Sequence, residues 1–338
     1  MSTLTKRPFR HPSSYAVPGS DQPVSLRGMG TFHIGGKLLH LDTGEPRMVQ
    51  LTQTGQPARL DPNGSYVVGQ MYVQYFLPDP AQHDLPLMMW HGGGLTGACW
   101  ETTPDGRAGF RDYFLRAGWD VYISDAAERG RSGFAPVPDV WGPPISQTIE
   151  TVFERFRLGE ALPRGALDRA RDYAFPTTAF PVESLGRFAS QLVPRWTHTD
   201  AIIMSAYIDE LKAIGPTMLM AHSQGCVFAL EAALRFPDLV AGLVLLEPAA
   251  IPSSVSQQDN WTVPTLVVLG DFIDQNERWS KMRDSIKDFA NRVPNVEVLS
   301  LPEHGFSGNS HMLMMDRNSN DVAELVAKWL SDKGTASD

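Results

Sequence analysis

The chain has 338 residues, of which 42% are hydrophobic and 20% charged, and it carries a formal net charge of −9. That balance belongs to an ordinary globular protein, long enough for one large α/β domain with an inserted segment, and it excludes a disordered chain. An acidic surface repels nucleic-acid phosphates and anionic lipids, and no apolar run approaches the ~20 residues that span a bilayer. Neither nucleic acid nor a membrane is therefore expected as a partner.

Residues 1–28 are rich in Pro, Ser and Gly and read as an arm over the surface. Their polar, basic start has no apolar stretch of the kind a secretion signal needs, which points to a cytoplasmic location. The cysteines are Cys99 and Cys226. Two do not make a disulfide framework, so reduced, buried thiols are expected, with a single bridge as the alternative. Between Met29 and Leu77, alternating stretches such as residues 66–75 are broken by Asp-Thr-Gly and Pro-Asn-Gly turns, the pattern of antiparallel strands joined by hairpins. Buried-strand runs follow at residues 85–90, 119–124, 216–221, 240–246, 264–269 and 296–301, alternating with helical stretches. Continuous apolar runs fit strands covered by helices on both faces, and the alternation implies crossover connections in a mostly parallel sheet. Residues 134–200 interrupt this rhythm with Pro, Phe, Trp and Arg and with helical pieces near 147–156 and 166–173. A long insertion in a compact domain is usually functional, so it reads as a cap over the site, leaving 29–133 and 201–338 as the core.

The strongest chemical signal is Ala221-His222-Ser223-Gln224-Gly225, set between an apolar strand and a helical stretch running to Phe236. It is a Gly-x-Ser-x-Gly nucleophile elbow with Ala221 in the first glycine position. Small flanking residues are needed because a sharp strand-to-helix turn strains the serine backbone and brings its two sides together. The turn also sets Ser223 at a helix N-terminus, where a developing oxyanion is favoured. A second signal, His91-Gly92-Gly93-Gly94-Leu95-Thr96-Gly97, follows the strand ending at Trp90. Acyl transfer needs two N–H donors aimed at the carbonyl oxygen, and Gly93, with Gly94 as the alternative, and Gln224 are the candidates for that oxyanion hole. No Gly-Lys-Ser/Thr follows, which excludes a phosphate-binding loop of that type.

The base is expected after the last strand, where His304 and His311 both lie. His311 is favoured because it sits deeper in the loop, just before the closing helical stretch. The acid that orients it is Glu247, after residues 242–246, or Asp271, after 266–270, and the pattern leaves the two near even. With no His-Glu-x-x-His spacing and no Cys/His cluster, neither a metal nor a cofactor is expected.

These segments, with Trp100-Glu101-Thr102-Thr103-Pro104-Asp105-Gly106-Arg107, Glu128-Arg129-Gly130-Arg131-Ser132-Gly133 and Gly308-Asn309-Ser310-His311-Met312, resemble bacterial serine carboxylesterases of the α/β-hydrolase superfamily. The resemblance is to the branch that takes a Glu acid from the loop after its sixth strand, and it spans about Trp90 to Trp329. It implies the α/β-hydrolase fold: a mostly parallel sheet with antiparallel N-terminal strands, helices on both faces and an inserted helical cap. It also implies Ser223, His311 and Glu247 as the triad and Gly93 with Gln224 as the oxyanion hole. Ala221 is the departure from the pattern. The activity it implies is hydrolysis of a small-molecule ester through an acyl-enzyme. An acyltransferase or carbon–carbon bond hydrolase would share the triad. Outside enzymes, the alternative is a non-catalytic ligand-binding protein on the same fold. A homodimer is expected only from the general commonness of twofold assemblies.

The insertion carries Phe134, Val137, Val140, Trp141, Pro143, Pro144, Ile145, Phe153, Phe156, Phe175, Phe180 and Trp196. About a third of these are expected to line a pocket for apolar or aryl groups, the rest forming the cap's own core. Arg155, Arg157, Arg164, Arg169 and Arg171 are assigned to a solvated face in preference to a substrate carboxylate. Uncharged esters are therefore expected to be better substrates than charged half-esters.

Overall fold

In the computed structural model, which describes residues 23–334 apart from 136, 138, 139, 259 and 294, the chain opens on β1 (Leu26–Leu41). A small ribbon of β2 (Arg47–Val49) and β3 (Ala58–Leu60) leads to β4 (Gly64–Pro78), which pairs antiparallel with β1 from Leu41 opposite Gly64 to Leu26 opposite Pro78. Most of the expected N-terminal arm lies outside the described residues, and its last part, from Leu26, is already strand.

The alternating part of the chain then runs β5 (Leu87–Trp90), α1 (Phe110–Arg116), β6 (Val121–Asp125). The insertion contributes the short helices α2 (Ile149–Arg155), α3 (Ala170–Tyr173) and α4 (Leu185–Ala189). After it come α5 (Asp200–Ile214), β7 (Thr217–His222), α6 (Gln224–Arg235), β8 (Val240–Leu246) and α7 (Ser253–Ser256). The chain closes with β9 (Thr265–Leu269), α8 (Glu277–Arg292), β10 (Val296–Ser300) and α9 (Ser319–Gly334). Among the described residues these strands form an eight-stranded sheet in the order β1-β4-β6-β5-β7-β8-β9-β10, antiparallel at β1/β4 and β4/β6 and parallel from β6 to β10.

The two-residue period of a strand divides the continuous apolar runs between two cores. Leu87, Met89, Met218, Met220, Val244, Leu246 and Val268 face one side, against α1, α9 and the insertion's Phe153, Phe180 and Phe188. Met88, Trp90, Leu219, Ala221, Leu243, Leu245 and Val267 face the other, against α5, α6 and α8. A third cluster joins Val68 of β4 to Trp141 and Trp196 of the insertion. Glu128 fastens that cluster: its carboxylate accepts from Trp141 Nε1 at 2.6 Å and Thr199 Oγ1 at 2.7 Å and pairs with Arg129. Because β5 to β10 all run the same way, the loops after β5, β7, β8, β9 and β10 gather at one edge of the sheet, where open α/β sheets carry their sites. No helix among the described residues is long and apolar enough to cross a membrane.

Candidate active site

Ser223 sits in the one-residue turn between β7 and α6 with φ 52° and ψ −114°, a conformation that strains a residue bearing a side chain. The strain is held by hydrogen bonds on both sides: Ser223 N–H donates to Leu246 O at 3.0 Å, and Ser223 O accepts from Ala249 N at 3.1 Å. Gly225 is required by close approach, since a Cβ there would stand 2.6 Å from His91 O and 2.9 Å from Trp90 O. Ala221, by contrast, is a strand residue between Trp90 and Leu245, and its methyl group is absorbed into the core. Cys226, one turn into α6, is a buried free thiol, as is Cys99.

The histidine loop after β10 returns His311 to this turn. His311 Nε2 lies 2.9 Å from Ser223 Oγ, and His311 Nδ1 lies 3.0 Å from Glu247 Oε2. An ionised carboxylate only accepts, so Nδ1 carries the proton and Nε2 is left to accept from the serine hydroxyl. Glu247 follows β8 with φ 55° and is buried. Its carboxylate takes a bidentate pair from Arg157, Nη1 to Oε2 and Nη2 to Oε1 both at 2.8 Å, and a further bond from Gly270 N–H at 2.5 Å. Burial alone would raise the Glu247 carboxyl, but the Arg157 charge and the bonds from His311 and Arg157 outweigh it and hold it well below the usual carboxylate range. Burial likewise lowers His311, against the opposing pull of Glu247 and with the Arg157 and Arg155 charges reinforcing it.

Asp271 stands elsewhere. Its Oδ2 accepts from Gly308 N–H at 2.8 Å and its Oδ1 from Phe272 N–H at 2.7 Å, so it shapes the histidine loop. His304 is exposed and bonded to Ser300 O at 3.0 Å. Arg157 overturns its expected place on a solvated face. It is 2% exposed, and a left-handed φ of 57° at the end of α2 turns it inward. There its Nε also donates to Asp271 O at 2.8 Å. Its identity as a site residue was hidden because the sequence shows only another arginine on a helical stretch.

Two further buried histidines, for which the sequence carries no motif, brace the loops of the site, His91 the glycine loop after β5 and His222 the loop after β10. His91 donates from Nδ1 to Gly92 O at 2.8 Å and accepts at Nε2 from Ala126 N–H at 2.9 Å; burial lowers its pKa to about 4, so it stays neutral. His222 donates from Nε2 to His311 O at 2.8 Å, and burial followed by the His311 charge lowers it to about 3. Gly97 N–H is held by Asp125, whose other oxygen binds Arg131. Gly93 comes so close to the elbow that a Cβ there would lie 2.6 Å from Gln224 Oε1. Gln224 opens α6, so its N–H is among the unpaired donors of a helix start. The neighbouring Gly94 ties this loop to the insertion, its carbonyl accepting from Val193 N–H at 2.9 Å.

Ser223, His311, Gly93 and Gln224 line one cavity of about 120 Å³, with Gln147, Arg155, Phe156, Arg195, Ala249, Arg278 and Trp279. Of the twelve apolar residues singled out in the insertion, Phe156 is the one that lines it. Phe153 and Phe180 pack into the sheet core, Trp141 and Trp196 into the third cluster, and Phe175 stacks on Phe272 with ring centroids 4.4 Å apart. The cavity is therefore less apolar than expected. Arg164, Arg169 and Arg171 do lie exposed, whereas Arg155 is half-buried at the cavity wall. Among the described residues, no group of three His, Cys, Asp or Glu side chains is placed to hold a metal ion.

Removing Arg157 would leave Glu247 as an uncompensated buried charge, a change that typically costs ~3–5 kcal/mol. Arg157→Met is expected to lower the urea midpoint at pH 7. The difference from wild type should shrink as pH falls below the usual carboxylate range, because a carboxyl depressed in the folded state stabilises it only while ionised. Equal midpoints at pH 7 would contradict this account.

The family model described as alpha/beta hydrolase fold matches residues 86–272. A solved structure described as a novel bacterial esterase is 30% identical, with a TM-score of 0.78 over 93% of this chain and 98% of that one. A protein named probable secreted lipase phiG, from Fungal sp. (strain ATCC 74256), is 26% identical over 325 residues, 79% of this chain and 87% of its own length. With its antiparallel opening, parallel sheet and strand–serine–helix turn, the chain belongs to the α/β-hydrolase fold family.

Proposed function

We propose that the chain hydrolyses carboxylic esters through an acyl-enzyme on Ser223. The observation that carries this reading is the hydrogen-bond chain from Ser223 Oγ to His311 Nε2 at 2.9 Å and from His311 Nδ1 to Glu247 at 3.0 Å, beside Gly93 and Gln224. Ser223 Oγ attacks the ester carbonyl carbon as its proton passes to His311 Nε2. The carbonyl electron pair moves onto oxygen and is met by the Gly93 and Gln224 N–H groups. Glu247, kept ionised, stabilises the imidazolium and holds its orientation. Collapse expels the alcohol, which takes the proton from Nε2. Water then repeats the sequence on the acyl-enzyme and releases the acid. The esterase and lipase relatives support ester chemistry, and Phe156, Trp279 and Ala249 give the cavity apolar wall for an alkyl or aryl part of the substrate.

A short-chain aryl ester tests the reading. Ser223→Ala should lose on the order of 10⁴-fold or more in kcat and should no longer react with a fluorophosphonate probe. Retention of more than a trace of activity would refute it, and product analysis with an added alcohol would reveal an acyltransferase. In the same assay Glu247→Gln should reduce kcat/KM far more than Asp271→Asn, because Glu247 contacts the base while Asp271 contacts loop N–H groups. The reverse ranking would move the acid's role to Asp271. Two buried free thiols agree with a reducing, cytoplasmic location, although the fungal relative's name calls that protein secreted. Fractionation of source cells should recover the native protein with the cytoplasm, and recovery from medium or periplasm would overturn this.

A further inference from the structure

Three arginines, the half-buried Arg155 and Arg195 and the exposed Arg278, line the cavity that holds Ser223, and the chemistry above uses none of them. Arg155 ends α2, Arg195 lies where the insertion returns towards α5, and Arg278 is in the first turn of α8. Their carriers are fixed. Arg195 exchanges backbone hydrogen bonds with Ile145 at 2.8 and 2.9 Å, beside the bond from Val193 N–H to Gly94 O. A Cβ on Gly93 would stand 2.9 Å from Arg195 Nη1, so this guanidinium lies against the oxyanion loop. Trp279 Nε1 donates to Arg155 O at 3.1 Å, tying the end of α2 to the residue that follows Arg278.

The carboxylates that oppose the cluster's charge, Glu154 at Arg155 and Asp200 at Arg195, offset it only in part. Among the described residues no carboxylate forms an ion pair with Arg155, Arg195 or Arg278, whereas Arg157, Arg129 and Arg131 nearby are paired with Glu247, Glu128 and Asp125. The chain as a whole carries a charge of −9, so three unpaired cations at its catalytic cavity run against the average. Arg195 Nε and Gln147 Oε1 are also buried without a hydrogen-bond partner among the described residues, in the same cavity wall. Burial, then the neighbouring Arg278 charge, lowers Arg155 against the pull of Glu154; burial, then Arg155 and Arg129, lowers Arg195 against the pull of Asp200. Mutual repulsion of this kind is relieved by an anion, and the planar guanidinium fork matches a carboxylate.

We infer that the substrate is an ester bearing a carboxylate, which Arg155, Arg195 and Arg278 hold while Ser223 attacks the ester carbonyl. This inference rests on the esterase reading and reverses the sequence-based expectation that uncharged esters are preferred.

Two matched substrate pairs test it. On the acyl side they are mono-4-nitrophenyl glutarate and 4-nitrophenyl pentanoate, and on the alcohol side 3-acetoxybenzoate and 3-acetoxybenzamide. In at least one pair the anionic member should have a kcat/KM about tenfold or more higher, as charge-assisted hydrogen bonds imply. Arg155→Gln and Arg278→Gln should each pull that ratio towards one, and added salt should do the same in wild type. A separate calorimetric titration of the Ser223→Ala protein with glutarate should show saturable binding that Arg278→Gln weakens. Ser223-dependent cleavage of the neutral esters with a ratio near one in both pairs would overturn the anion site and leave the esterase reading standing. Cleavage of no ester, with glutarate binding that depends on Arg278, would uphold an anion site and overturn the esterase reading. Absence of both cleavage and binding would overturn both.

Discussion

The ion pair between Arg157 and Glu247 is the constraint on which the rest of the site depends. Both side chains are buried, and withdrawing two charges from water costs several kcal/mol per ion unless geometry and hydrogen bonding compensate. Here the compensation comes from four bonds to the carboxylate and a third donation from the guanidinium. The carboxylate takes two bonds from Arg157, one from Gly270 N–H and one from His311, and Arg157 Nε donates to Asp271 O. Through that arrangement the insertion becomes part of the frame of the proposed site. Its consecutive residues Arg155, Phe156 and Arg157 each hold a different element: Arg155 O binds Trp279, Phe156 O accepts from His311 N–H at 2.9 Å, and Arg157 binds Glu247. A shift of this short stretch would disturb His311, Glu247 and the cavity wall together.

The parts of the site that were legible in the sequence are those whose physical demands fall on consecutive residues. A strained serine turn needs small neighbours within two positions, and a loop that brings N–H groups to a substrate needs glycines side by side. Ser223 and the loop around Gly93 could therefore be read directly. The proposed acid could not be, since Glu247 and Asp271 both follow continuous apolar strands. What separates them is where Arg157 arrives from 90 positions away along the chain, turned inward by a left-handed backbone that its neighbours do not announce. His91 and His222 were passed over for a related reason. Each acts by bonding backbone groups, a role with no sequence pattern of its own.

The insertion shows the limit of composition. An aromatic-rich segment looks the same whether it lines a pocket or fills a core, because both need apolar surface removed from water. Phe153, Phe180 and Phe188 extend the sheet's own core, and Trp141 and Trp196 form a satellite cluster held by Glu128. Phe156 alone, at the point where α2 ends, reaches both core and cavity. The polar lining came from residues whose neighbours gave no cue. Arg195 follows a proline in a bridge to Ile145, and Arg278 opens a helix with exposed surface.

The central claim is that Ser223 carries the acyl group between two half-reactions. It is tested most directly by quenching turnover of an aryl ester with acid on the millisecond-to-second timescale and mapping the digested protein by mass spectrometry. The account predicts that the mass of the acyl group appears on the peptide containing Ser223, rises before steady state and disappears when ester is exhausted. An acyl group on any other residue, or turnover with none on Ser223 at any time, would contradict it.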